Sequence, residues 1–158
     1  FGHLQKGHGV AFADFDHDGD QDLYVQMGGG ATGDKFNDAL FENPGFGNNW
    51  IAIRLVGTRS NRSAIGARIR VVVEEEGKSG ARSIYRHVNS GGSFGANPLR
   101  QTIGIGTAQV LDRLEIYWPT SDTTQVFEQV AINQMIRIRE GAAEFEAVNL
   151  PRFQFPSE

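Results

Sequence analysis

The chain has 158 residues, 39% hydrophobic and 22% charged, the balance of a soluble globular protein with a core of its own. Its net charge is −4, and the aspartates of residues 14–22 account for all of that acidity, so no basic stripe or acidic tail points to nucleic acid. It has no cysteine, which excludes disulfides and thiolate metal sites, and no apolar run near the roughly 18 residues of a membrane-spanning helix.

Residues 1–47 form the first zone. Here "GVAFADFD" and "DLYVQM" predict two short strands, and "ALFEN" a third. Three short strands are marginal in water, so this zone needs a neighbour. The turn formers "PGFGNN" at 44–49 close it.

Between the first two strands runs "DFDHDGDQD", five aspartates in nine positions. Like charges this dense repel unless a cation holds them. With Asp14 as first position, Asp16, Asp18, Asp20 and Asp22 fall at the third, fifth, seventh and ninth, and Gly19 at the sixth permits a sharp turn. That spacing suits Ca²⁺, which takes six to eight oxygens, better than Mg²⁺, which keeps several waters. The loop departs from an EF-hand: Val25 stands where the bidentate glutamate would be, and the flanks are strand-like. Asp22 is expected to close the shell instead, with His17 as an outward spacer. The predicted metal ligands are Asp14, Asp16, Asp18, Asp20 and Asp22.

Residues 48–141 alternate with period two. Ile51, Ile53 and Leu55 oppose Arg54; Ile69, Val71 and Val73 oppose Arg68 and Arg70; Leu114, Ile116 and Trp118 oppose Arg113, Glu115 and Tyr117; Ile136 and Ile138 oppose Arg137 and Arg139. Strands with one buried and one wet face read this way. "RSIYRHVNS" and "TQVFEQV" add two more, and no segment carries a helical stripe. The predicted fold is all-β, a short calcium-loop repeat packed on an antiparallel β-sandwich or barrel, with 142–158 as a C-terminal tail.

Other groups carry less. His3, His8, His17 and His87 lack zinc spacing, and Ser90, Ser93 and His87 have nothing to orient a nucleophile and base. "GGSFGANP" and "GIG" read as loop or bulge and not as a phosphate cradle. Arg59, Arg62, Arg68 and Arg70 read as a solvated face, with an anionic contact as the sharper alternative. Tyr85, Tyr117 and Trp118 offer a sugar platform, although the parity of Trp118 places it in the core. Asp34, Asn37 and Asp38 could complete a second cation site.

"GHGVAFADFDHDGDQDLYV" followed by "LFENPG" resembles an FG-GAP or VCBS-type repeat, the blade unit of calcium-binding propellers. "NNWIAIRLVGTRSNRSAIGARIRV", "HVNSGGSFGANPLRQTIGIG" and "DRLEIYWPTSDTTQVFEQVAINQMIRI" are similar to the ASPIC/UnbV domain, which follows such repeats in cartilage-acidic-protein-like proteins. The two resemblances span about residues 7–140 and imply calcium binding and an extracellular or periplasmic location, without a reaction. A propeller needs several blades and one repeat is present, so the chain reads as a piece of something longer or as a small subunit. The expected function is a non-enzymatic calcium-binding structural or interaction module, able to join preceding blades or other copies of itself through open strand edges. Calcium-dependent binding of glycan or an adhesive ligand is the alternative.

Overall fold

Alternation becomes strands wherever the sequence carries it. In the computed structural model, which describes residues 6–77, 79–92 and 98–155, the strands are β1 (Gly7–Ala13), β2 (Asp22–Met27), β3 (Ala39–Phe41), β4 (Asn49–Val56), β5 (Arg68–Val73), β6 (Arg82–His87), β7 (Gln101–Gly106), β8 (Leu111–Trp118), β9 (Thr123–Val130), β10 (Gln134–Arg139) and β11 (Glu146–Val148). No helix occurs among the described residues, so the all-β class holds. His3, Ser93, most of "GGSFGANP" and the end of the tail lie outside them.

The chain divides into two units. The first runs to Phe46 and takes in the segment from Pro151; the second is Gly47–Leu150. In the first, β1, β2 and β3 form an antiparallel sheet in that order. Its register puts Val10 opposite Val25 and Phe12 opposite Leu23, with Ala39 and Phe41 continuing the same rows. Ala13 faces Asp22 across the end of the hairpin, so the aspartate loop is the connection between two paired strands.

The second unit has two four-stranded sheets, ordered β11-β10-β4-β7 and β6-β5-β8-β9. Their inward residues form one cluster: Ile51, Ile53 and Leu55 of β4, Ile103 and Ile105 of β7, and Ile136 and Ile138 of β10 meet Ile69, Val71 and Val73 of β5, and Leu114, Ile116 and Trp118 of β8. This is a β-sandwich. Each such side chain contributes on the order of 1.5–3 kcal/mol by leaving water. Trp118 is fully buried, with its indole N–H donating to Gln125 Oε1 at 2.5 Å, and so belongs to the core and not to a sugar platform.

Three features differ from the sequence reading. The sandwich is not wholly antiparallel: β10 runs parallel to β4, with Gln134 beside Ile51 and Arg139 beside Val56. A parallel pair needs a long crossover, and the chain between these strands supplies it by building the whole other sheet. "GIG" is the end of a strand, β7, in which Ile103 and Ile105 are buried and Gly104 faces open space. The bulge half of the loop-or-bulge reading holds, since the pairing steps from Trp50–Gly104 to Asn49–Gly106 with one residue extra on β7. Part of the expected tail, Glu146–Val148, pairs with β10 as β11, where Arg137 Nη2 meets Glu146 at 2.7 Å.

Candidate metal centre

Three of the five predicted ligands converge. One carboxylate oxygen from each of Asp14, Asp16 and Asp18 lies within 4.8 Å of the others, the one such acidic or histidine group among the described residues. Asp14 and Asp16 are buried at 5% and 4% exposure. Two like charges at that separation repel by roughly 3–4 kcal/mol at an effective dielectric of about 20.

The loop reaches this arrangement by local means. The Asp16 carboxylate accepts the Asp18 N–H at 3.2 Å, and that of Asp18 accepts the Asp20 N–H at 2.9 Å. Two successive Asx turns therefore curl the backbone around the carboxylates. Gly19 sits at φ 107°, and His17 at φ 62°, a left-handed conformation in which histidine is enriched among side-chain-bearing residues.

Asp20 and Asp22 play different parts. Burial first, then the charges of Asp18, Asp14, Asp22 and Asp16, push the Asp20 carboxyl above its ordinary range. The field of all four thus reaches it. Its Oδ2 lies 2.8 Å from where a Cβ on Gly45 would stand, and Gly45 has φ +74°, so a side chain there would be strained and would displace the Asp20 carboxylate. Asp22, 1% exposed, accepts the Phe15 N–H at 3.0 Å on one oxygen and the Asn43 N–H at 2.9 Å on the other. It ties the loop to the turn after β3 and keeps a second lone pair on each oxygen for a cation. His17 faces away from the cluster, with Nδ1 3.0 Å from the Pro151 carbonyl.

Asp34 and Asp38 are engaged elsewhere. Lys6 Nζ lies 2.5 Å from Asp34 and holds its carboxyl below the usual range. The Tyr24 hydroxyl and then the Met27 N–H do the same for Asp38. Sequence reasoning missed Asn43 and Gly45 as parts of the loop's wall; the "ENPG" turn was the available signal.

Compared with known protein families, residues 57–145, more than half of the chain, match ASPIC and UnbV. The chain belongs to the ASPIC and UnbV family. Among curated proteins, none matches it. The family match lies within the second unit, so the aspartate loop stands outside it. Within its ASPIC and UnbV region the chain buries two carboxylates, Glu75 and Glu140. Arg82 Nε meets Glu75 at 3.0 Å, and the Thr107 N–H and hydroxyl reach it at 3.3 Å. The outer face of β5, β6, β8 and β9 carries a groove of about 390 Å³ lined by Arg68, Arg70, Tyr85, Glu115, Tyr117 and Thr124. There the Arg68 guanidinium lies 5.7 Å from the Tyr117 ring and that of Arg70 6.0 Å from Tyr85.

Proposed function

We propose that the loop of Asp14, Asp16, Asp18, Asp20 and Asp22 binds Ca²⁺, and that the chain is a non-enzymatic calcium-rigidified interaction module of an extracellular or periplasmic protein. The observation that carries this reading is the convergence of three carboxylates, two of them buried, in one loop. A donor set of carboxylate oxygens fits Ca²⁺. The cation replaces mutual repulsion with attraction and makes the β1–β2 hairpin rigid. In this reading the hairpin is an FG-GAP or VCBS-type blade unit, and β1, with Val10 and Phe12 61% and 62% exposed, is the edge that accepts a further strand from a preceding blade or a second copy.

Extracellular modules bind Ca²⁺ at roughly 10⁻⁴–10⁻³ M. Raising Ca²⁺ to about 100 times its Kd is expected to stabilise the first unit by about 2.7 kcal/mol, seen as a calcium-dependent rise of its melting temperature that magnesium does not reproduce. Sedimentation of the same samples reads strand addition. Unchanged melting in calcium well above the millimolar range would remove the proposal.

The groove on the second unit favours an additional role, binding of an acidic saccharide. Arg–Tyr stacks offer a carboxylate a guanidinium and a sugar ring a flat apolar face. Arg68, unlike Arg70 and Arg113, makes none of the ion pairs found among the described residues. Uronate oligosaccharides are expected to shift the NMR signals of Tyr85 and Tyr117, and Arg68→Ala to weaken binding about tenfold. Chelation of calcium should leave this binding unchanged, because the groove belongs to the second unit. Equal binding of a neutral oligosaccharide would contradict the role given to Arg68.

A further inference from the structure

The segment that begins at Pro151 returns to the first unit and runs along the aspartate loop. It touches the loop backbone and the His17 side chain. The Phe153 N–H donates to the Asp16 carbonyl at 3.1 Å. Arg152 Nη2 donates to the Asp18 carbonyl at 3.0 Å. His17 Nδ1 reaches the Pro151 carbonyl at 3.0 Å; a carbonyl only accepts, so Nδ1 carries the proton. The His17 ring meets Phe153 edge-on, with centroids 5.6 Å apart, and Phe153 packs edge-on against Phe155 at 6.2 Å.

These contacts have a common geometric consequence. A peptide group is planar, so fixing a carbonyl fixes the whole unit up to the next Cα. Phe153 fixes the peptide between Asp16 and His17, and Arg152 that between Asp18 and Gly19. Those two peptides link the convergent aspartates and their turn glycine. His17, between them, is held in its left-handed conformation while its ring faces the tail.

We infer that the C-terminal segment is a working part of the cation site: Arg152 and Phe153 are positioning residues that hold the loop in its binding shape, and the cation in turn holds the segment down. This rests on the calcium reading above. Coupling of two equilibria is reciprocal, so whatever the segment adds to cation affinity, the cation adds to the segment's docking. Groups that orient metal ligands from outside the coordination shell typically change affinity 10- to 100-fold. Without the cation, repulsion among the aspartates opposes the shape that the segment grips, so docking and binding rise and fall together.

Charge provides a test that packing alone would not. Arg152 is a cation beside a cation site. If it acted only through its field, its removal would raise Ca²⁺ affinity; if it acts by holding the Asp18 peptide, removal lowers affinity. The experiment measures Ca²⁺ binding calorimetrically in the full chain, in Arg152→Ala and in Phe153→Pro, which lacks the donating N–H. Hydrogen exchange of the Phe153 amide is followed with and without Ca²⁺. Both substitutions fall on exposed residues outside the core, and circular dichroism checks the fold of each. The expected result is a loss of affinity of about tenfold in each variant, together with at least tenfold slower Phe153 exchange when Ca²⁺ is present. Unchanged or increased affinity in Arg152→Ala, or exchange indifferent to Ca²⁺, overturns the coupling and leaves the calcium reading standing. Absence of Ca²⁺ binding by the unaltered chain overturns both.

Discussion

Glu140→Ala is expected to destabilise the sandwich by about 3–5 kcal/mol. The side chain is 5% exposed. Its Oε2 accepts three successive backbone N–H groups, of Thr58, Arg59 and Ser60, at 2.8, 2.8 and 2.7 Å. Its Oε1 accepts the hydroxyls of Ser60 at 2.9 Å and Ser121 at 2.6 Å. One carboxylate thus pins the turn after β4 and the β8–β9 turn to the end of β10. Truncation leaves these donors without their acceptor.

The same residue sets a pH dependence. Burial raises the carboxyl's pKa, but the Ser121 hydroxyl and the N–H groups of Ser60 and Thr58 outweigh it and hold the value down to about 2, against an ordinary 4.5. A folded-state pKa below the unfolded one gives stability that is complete above about pH 4.5 and is lost as pH falls towards 2. The difference is worth about 3 kcal/mol. Scanning calorimetry from pH 7 to pH 2 should show the unaltered chain losing this contribution below pH 4.5, while Glu140→Gln starts lower and lacks that part of the slope. For a domain of this size the alanine variant melts roughly 12 °C lower or more. Superimposable acid limbs for the unaltered chain and Glu140→Gln would show that the carboxylate is not held as described.

Glu140 also marks where sequence reasoning stops. Period two tells which face of a strand is buried, and so Ile51, Ile69, Leu114 and Ile136 were legible as core. It does not tell which strand lies alongside, so the parallel β4–β10 pair was hidden. In "MIRIRE" the final glutamate continues a run of charged residues, and its five partners come from segments some 20 and 80 residues away in sequence. Glycine obscured β7 for a different reason: Gly104 stands on an open face and the register against β4 shifts between Gly104 and Gly106, so the two glycines weaken the pattern of a strand that is nonetheless paired. The aspartate loop was legible because its candidate ligands are neighbours in sequence as well as in space. What was hidden there, again, was the part supplied from afar: Asn43, Gly45 and the segment after Pro151.

Within the loop, Asp18→Asn and Asp22→Ala are expected to separate charge from architecture. Asparagine at 18 keeps a carbonyl oxygen to accept the Asp20 N–H, so the Asx turn survives while one charge is lost. Ca²⁺ affinity should fall at least tenfold, since affinity in such loops is tuned by the number of charged ligands. The cation-free stability of the first unit should hold or rise, because removing one of three converging carboxylates relieves repulsion. Asp22→Ala removes instead the acceptor of two backbone N–H groups, at Phe15 and Asn43, from a side chain 1% exposed. Each lost bond to a charged group costs about 1.5–3 kcal/mol, so the first unit should lose about 3–6 kcal/mol even without cation, and bind Ca²⁺ poorly as a consequence. Calcium titration paired with hydrogen exchange at the Phe15 and Asn43 amides distinguishes the two. Faster exchange in Asp22→Ala but not in Asp18→Asn is the expected pattern. Full Ca²⁺ affinity in Asp18→Asn would mean that the Asp18 carboxylate is not one of the ligands that hold the cation.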